Sequence, residues 1–222
     1  VVNESTIPIT YQIGTGGNFL CHFLISARQN NTQLPALSEY GNAHKGPRDF
    51  MGISRIKDTT DEMNIKIMLE QSSYLSSYIT TTKPYFGALH IYDANLINSY
   101  FKKSIRLVYE SNDINEIATI FYGKWVLDNV RRNGHEGRSN EHIISTITEE
   151  ASLFCKDDNL TNILFVSWKE LFKGDVEDLI SKLSTFTEIN PANFHRESIK
   201  YWREKTQHCL NTFSDLIKQD VQ

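Results

Sequence analysis

Apolar residues along this chain fall into two alternating rhythms. Residues 7–13 (IPITYQI) alternate and are β-branched, which predicts a short strand. After the interruption Gly14-Thr15-Gly16-Gly17-Asn18, the residues Phe19, Leu20, Phe23, Leu24 and Ala27 recur at helical spacing. Residues 29–55 read as a long connection containing Gly and Pro. Thr60 or Asp61 can cap a helix whose expected face is Met63, Ile67, Tyr74 and Tyr78. Residues 85–91 predict a second strand and residues 93–101 a short helix. The run IRLVY at 105–109 predicts the clearest strand of the chain.

A helix is expected from Ser111-Asn112-Asp113, with Glu116 placed to complete a capping box and with Ile117, Phe121 and Trp125 following. The polar run 131–138 (RRNGHEGR) predicts a loop, and Ile143, Ile144, Ile147, Ala151 and Phe154 a helix face. Residues 163–168 (ILFVSW) predict a strand of the buried type. Val176, Leu179, Ile180, Leu183 and Phe186 mark the next helix. Asn190-Pro191 opens the last helical region, with Ile199, Trp202, Cys209, Phe213 and Leu216 inward. Strands alternating with helices predict an α/β fold: three layers, with a mainly parallel central sheet flanked by helices. No repeat or linker divides residues 1–222, so one domain is expected.

Composition narrows the function classes. The formal net charge is −4, which disfavours a broad electrostatic grip on nucleic acid. No run approaches the length of a membrane span, and the first residues lack the pattern of a secretory signal. Cys21, Cys155 and Cys209 are scattered and form no CxxC pair, which fits buried thiols in a reducing, cytoplasmic compartment. No HExxH or CxxC pattern points to a metal, and no GxSxG elbow to a serine hydrolase.

The chemistry concentrates at the glycine-rich turn. A helix that starts directly after a strand of an α/β sheet aims its unpaired N–H groups and its dipole at the crevice beyond the strand ends. Gly14, Gly16 and Gly17 permit positive φ and remove the Cβ atoms that would keep a phosphate from the backbone, while Thr15 and Asn18 add side-chain donors. Position 19 is Phe, so the GxGxxG pattern is not met, and no Lys-Ser/Thr follows to make a Walker A loop. His90 stands at the end of a strand, where it can serve as a general base or simply cap the strand. His22 reads as a core histidine, and His44 and His135 as solvated loop residues. The basic residues Arg131, Arg132 and Arg138 are a solvated face or a lid over phosphate.

The order of these elements resembles the sulfotransferases that use phosphoadenosine phosphosulfate, which share the P-loop kinase fold. The stretch Ile13-Gly14-Thr15-Gly16-Gly17-Asn18-Phe19-Leu20 stands where that family has its first-strand loop. The strand at 105–109, then Asp113, then a helix with Thr119 in the approximate place of the family's Ser, is similar to its mid-chain pattern. Residues 165–171 (FVSWKEL) are similar to its Tyr-Glu-Asp-Leu-like run, and His90 corresponds to its usual His. The resemblance implies phosphoadenosine phosphosulfate as donor, no metal, a small-molecule or glycan hydroxyl acceptor, and His90 as the catalytic base. It implies donor contacts at Gly14, Thr15, Gly16, Gly17, Asn18, Phe19, Arg106 and Thr119. Two departures stand out: the family's loop Lys falls on Gly14, and its Arg for the 3′-phosphate on Tyr109. Arg106, Lys45, Arg48, Arg131, Arg132 and Arg138 are the cations available to compensate. A binding protein that has lost catalysis, and a nucleotide or small-molecule kinase of the same fold, are the alternatives.

Overall fold

Five short segments of extended chain hydrogen-bond side by side, and every pairing is parallel. The computed structural model describes residues 2–12, 16–41, 43, 51–52, 60–78, 84–120, 123, 145, 149, 152–154, 160 and 162–220. Its strands are β1 (Thr6–Thr10), β2 (Met51–Gly52), β3 (Tyr85–Leu89), β4 (Ser104–Val108) and β5 (Ile163–Ser167), in the order β2-β3-β1-β4-β5. The helices are α1 (Gly17–Arg28), α2 (Asp61–Tyr78), α3 (Ala94–Tyr100), α4 (Trp168–Lys173), α5 (Val176–Thr187) and α6 (Arg196–Asp220), with residues 114–120 also helical. The α/β expectation therefore holds at the level of a parallel sheet with helices. Among the described residues no helix is long and apolar enough to cross a membrane.

β1 is central, and all five of its residues are buried. A parallel strand covered on both faces reads as continuous burial rather than alternation. Pro8 sits within it, and pairing with β4 is registered only at Ile9 and Thr10, beyond the residue that has no N–H to donate. The expected strand ran to Ile13; the observed one stops at Thr10, and Ile13 lies outside the described residues.

The pleat sorts the sheet's side chains. Ile7 pairs with Phe86, and Ile9 with both Ala88 and Ile105, so these residues share one face, with Leu107 two further along β4. All of them belong to the core cluster built with α1, α4, α5 and α6. Leu89 and Arg106 have the opposite parity. Leu89 joins Ile91, Ile65, Met68, Ile97 and Phe101 in a second, smaller core with α2 and α3. Met68 follows Ile65 by three residues and marks the inward face of α2. This corrects the expected face: Met63 is half exposed and Ile67 only partly buried, because the stripe is set one register over. The side chains of Tyr74 and Tyr78 lie outside the described residues.

Local signals set the helix ends. Thr60 Oγ1 accepts from Met63 N, and Asp93 and Asp175 cap α3 and α5 through their carboxylates. The box at 110–113 is made by Glu110 and Asp113 rather than by Asp113 and Glu116; Glu116 instead pairs with Lys173. The strand at 163–168 ends one residue early, because Ser167 and Glu170 form a capping box that turns Trp168 into the first residue of α4. The C-terminal end of α4 is closed by Arg203, which donates to the carbonyls of Glu170, Leu171 and Gly174.

α6 carries the centre of the main core. Trp202 is fully buried, stacked on Phe19 with centroids 4.6 Å apart, and meets Trp168 and Phe172 edge-on at 6.1 Å each. Cys209 and Phe213 are buried as their spacing predicts, and Phe194 is buried as well. Cys21 and Cys209 are buried thiols outside any disulfide; Cys155 lies outside the described residues.

Burial opposes the charge of Glu170, but hydrogen bonds from Lys182 and Ser167 outweigh it and hold this carboxyl below its ordinary 4.5. A carboxyl depressed by folding stabilises the native state above its ordinary value, and that contribution is lost as pH falls through the lower native value. Glu170→Gln keeps a capping side chain and removes the charge. Its denaturation midpoint should fall less steeply than that of the wild type below about pH 4.5. Parallel acid limbs in urea melts across that range would contradict the assignment.

Candidate functional site

The carboxyl ends of β1, β3 and β4 meet where the sheet order reverses, since the chain adds β3 and β2 on one side of β1 and β4 and β5 on the other. Such a switch point leaves a crevice beyond the strand ends. α1 begins on this side of the sheet, past the carboxyl end of β1. Its N-cap, Gly16, has φ 89° and ψ 10°, a left-handed conformation that favours glycine, and makes no side-chain capping bond. Leu20 N–H donates back to Gly16 O at 2.9 Å, the first helical bond, so the N–H groups of residues 17–19 precede the ladder. No acidic side chain occupies the first turn. Gly14 and Thr15 lie outside the described residues.

The glycines also answer to packing. A Cβ on Gly16 would stand 2.6 Å from the Trp202 ring, and one on Gly17 only 2.0 Å from Cγ of Tyr11. Gly17 is thus required by the tyrosine lying over it, with or without a ligand. Tyr11 is buried, and its hydroxyl donates to Oδ1 of Asn18. Burial first, and the neighbouring Cys21 thiol second, push this phenol far above its ordinary value, so it remains a donor at any working pH. Phe19 contributes its backbone only, because its ring is buried in the stack with Trp202 and Phe23.

His90 follows β3 directly, half buried, with its ring centroid 4.4 Å from that of Tyr11 and Nδ1 3.0 Å from the Tyr11 carbonyl oxygen. The structure thus brings His90 beside the residue that leads into the turn. Tyr109, after β4, donates its hydroxyl to Oε1 of the buried Gln12. The polar edge of the site accordingly comprises Gln12, Asn18, His90 and Tyr109, gathered from the ends of three adjacent strands and the first turn of α1.

Other candidates lie elsewhere. Arg106 is buried on the sheet face away from α1, donating to the carbonyls of Tyr92, at 2.7 Å, and Leu153, with the Phe154 ring 4.7 Å from its guanidinium carbon. Carbonyl acceptors and an aromatic face together favour the buried guanidinium there. Thr119 is half buried in the helical stretch 114–120 and donates back to Asn115 O at 2.7 Å. His22 is buried, with Nε2 2.9 Å from Ala43 O, and ties α1 to the connection that covers it. His44, Lys45, Arg48, Arg131, Arg132, His135 and Arg138 lie outside the described residues, as do Phe121, Trp125, Ile143, Ile144, Ile147 and Ala151. Among the described residues, no three metal-ligating side chains gather.

In the sequence, Tyr11 and Gln12 read as the tail of the first strand. The available signal was position: an aromatic and an amide directly before a glycine-rich turn are already past the pairing region. Gly17→Ala should lower stability in ligand-free buffer by about 1–3 kcal/mol, the usual cost of overpacking, through the Tyr11 ring. A ligand-free melting curve unchanged from wild type would show that Tyr11 does not confine this position. Comparison with protein-family models and with curated proteins finds no match to this chain.

Proposed function

We propose that the protein binds a phosphorylated nucleotide at the glycine-rich turn and acts as a sulfotransferase of the P-loop kinase type. The observation that carries this reading is the opening of α1. A left-handed Gly16 starts a twelve-residue helix just beyond the carboxyl end of the central strand, at the point where the strand order reverses. Backbone donors and the helix dipole favour an anion there. In the proposed reaction an acceptor hydroxyl attacks the sulfur of phosphoadenosine phosphosulfate. The new oxygen–sulfur bond forms as the sulfur–oxygen bond to the phosphate breaks. The bridging oxygen leaves with adenosine 3′,5′-bisphosphate, and His90 takes the hydroxyl proton. The acceptor is a small molecule or a glycan.

A second reading keeps the anion cradle without catalysis. It is favoured by the engagement of Arg106 with the Tyr92 and Leu153 carbonyls and by Tyr109 and Gly14 standing where the resemblance calls for cations. A donor of high charge loses roughly 1.5–3 kcal/mol for each charged hydrogen bond withheld. A third reading, a kinase of the same fold, lacks a Walker lysine after the glycines.

Calorimetric titration with adenosine 3′,5′-bisphosphate decides among them. Saturable one-to-one binding is expected, with a thermal shift equivalent to about 2.7 kcal/mol at a hundred times the dissociation constant. Absence of bisphosphate binding together with stabilisation by ATP and magnesium would replace the sulfotransferase by a kinase. Bisphosphate binding without sulfuryl transfer from the full donor to any hydroxyl acceptor would favour the binding protein.

A further inference from the structure

Tyr11 meets the candidate site in three ways. Its ring covers Gly17, and its hydroxyl donates to Asn18 Oδ1, so its side chain rests on the first turn of α1. Its main chain brackets the end of β3: Tyr11 N–H donates to Leu89 O at 3.2 Å, and its carbonyl oxygen lies 3.0 Å from Nδ1 of His90. A carbonyl oxygen only accepts, so Nδ1 of His90 carries a proton. In the neutral ring the basic nitrogen is therefore Nε2. Burial leaves the tyrosine little room to respond independently at its two ends.

We propose that Tyr11 is a positioning residue that couples the first turn of α1 to His90, so that an anion seated on that turn also sets the orientation of the histidine ring. The proposal rests on the functional reading above and extends it. Asn18 reads the state of the turn, the Tyr11 hydroxyl and ring carry it, and the Tyr11 carbonyl delivers it to Nδ1. Its physical content is a short continuous chain of contacts: Asn18 Oδ1 to the Tyr11 hydroxyl, through one rigid aromatic side chain to its own carbonyl, and on to the imidazole. Coupling of this kind requires that a change at one end be felt at the other only while the intermediate contact exists.

Nitrogen-15 and carbon-13 NMR of the histidine side chains in the full chain tests this without any ligand. At a pH where His90 is neutral, Nδ1 should show the N–H type shift and Nε2 the lone-pair type. The Asn18→Ala variant should give a resolved shift of the His90 Cε1–H resonance. The same replacement in a Tyr11→Phe background, which keeps the ring and the carbonyl and removes only the hydroxyl, should leave that resonance where Tyr11→Phe alone puts it. An Nε2–H tautomer in the wild type would overturn the proposal. So would an Asn18→Ala shift that is absent, or equal in both backgrounds. The tautomer measurement needs no variant and stands even if Tyr11→Phe fails to fold. Because no nucleotide enters the experiment, failure of the bisphosphate to bind would remove the proposed function without bearing on the coupling.

Discussion

Two aromatic rings pressed against two glycines hold the rest of this molecule in place. Trp202 lies against the Cα of Gly16, and Tyr11 against that of Gly17, at separations no side chain could enter. The first contact docks the long C-terminal helix α6 onto the start of α1. The second fixes the exit of the central strand β1 against the same turn. Full burial of an aromatic side chain of this size is worth about 3–5 kcal/mol on truncation, so these contacts are among the largest single terms available to the fold. They act where the end of β1 leads into the start of α1. Phe19 stacked on Trp202 continues the contact into the core.

The same packing changes what the glycines mean. Read as a motif, they make room for a phosphate. Read in the fold, Gly16 and Gly17 make room for Trp202 and Tyr11. The two roles are compatible, because the rings fill the Cα side of the turn while the amides of residues 17–19 precede the helical ladder. A substitution at either glycine therefore tests the core before it tests a ligand.

Arg106 illustrates how a site can be misjudged by adjacency along the chain. It stands in a strand whose end borders the crevice, and it is a cation where the resemblance wants one. Its neighbours Ile105 and Leu107 enter the core beneath α1, so the pleat sends Arg106 to the opposite face. There it grips the carbonyls of Tyr92 and Leu153 under the Phe154 ring. The alternation that reveals this was present in the run IRLV, and a parity argument would have found it.

What the sequence determined by itself is the succession of elements. The β-branched runs, the capping residues Asp93, Asp175 and Asn190, and the break at the glycines are local signals, and each acts within a few residues of where it stands. Elements long enough to show a rhythm were legible, and ends fixed by a single bond, such as the Ser167–Glu170 box, shifted by a residue. The face of α2 and the two-residue strand β2 were not legible, because a weakly amphipathic helix and a short strand take their placement from what packs beside them. Of the candidate site, the sequence offered a glycine-rich turn and a histidine at a strand end. Their meeting was decided by tertiary structure: parallel pairing of β1 with β3 brings Tyr11 and His90 together across 79 residues of chain, and no periodicity encodes a contact of that range.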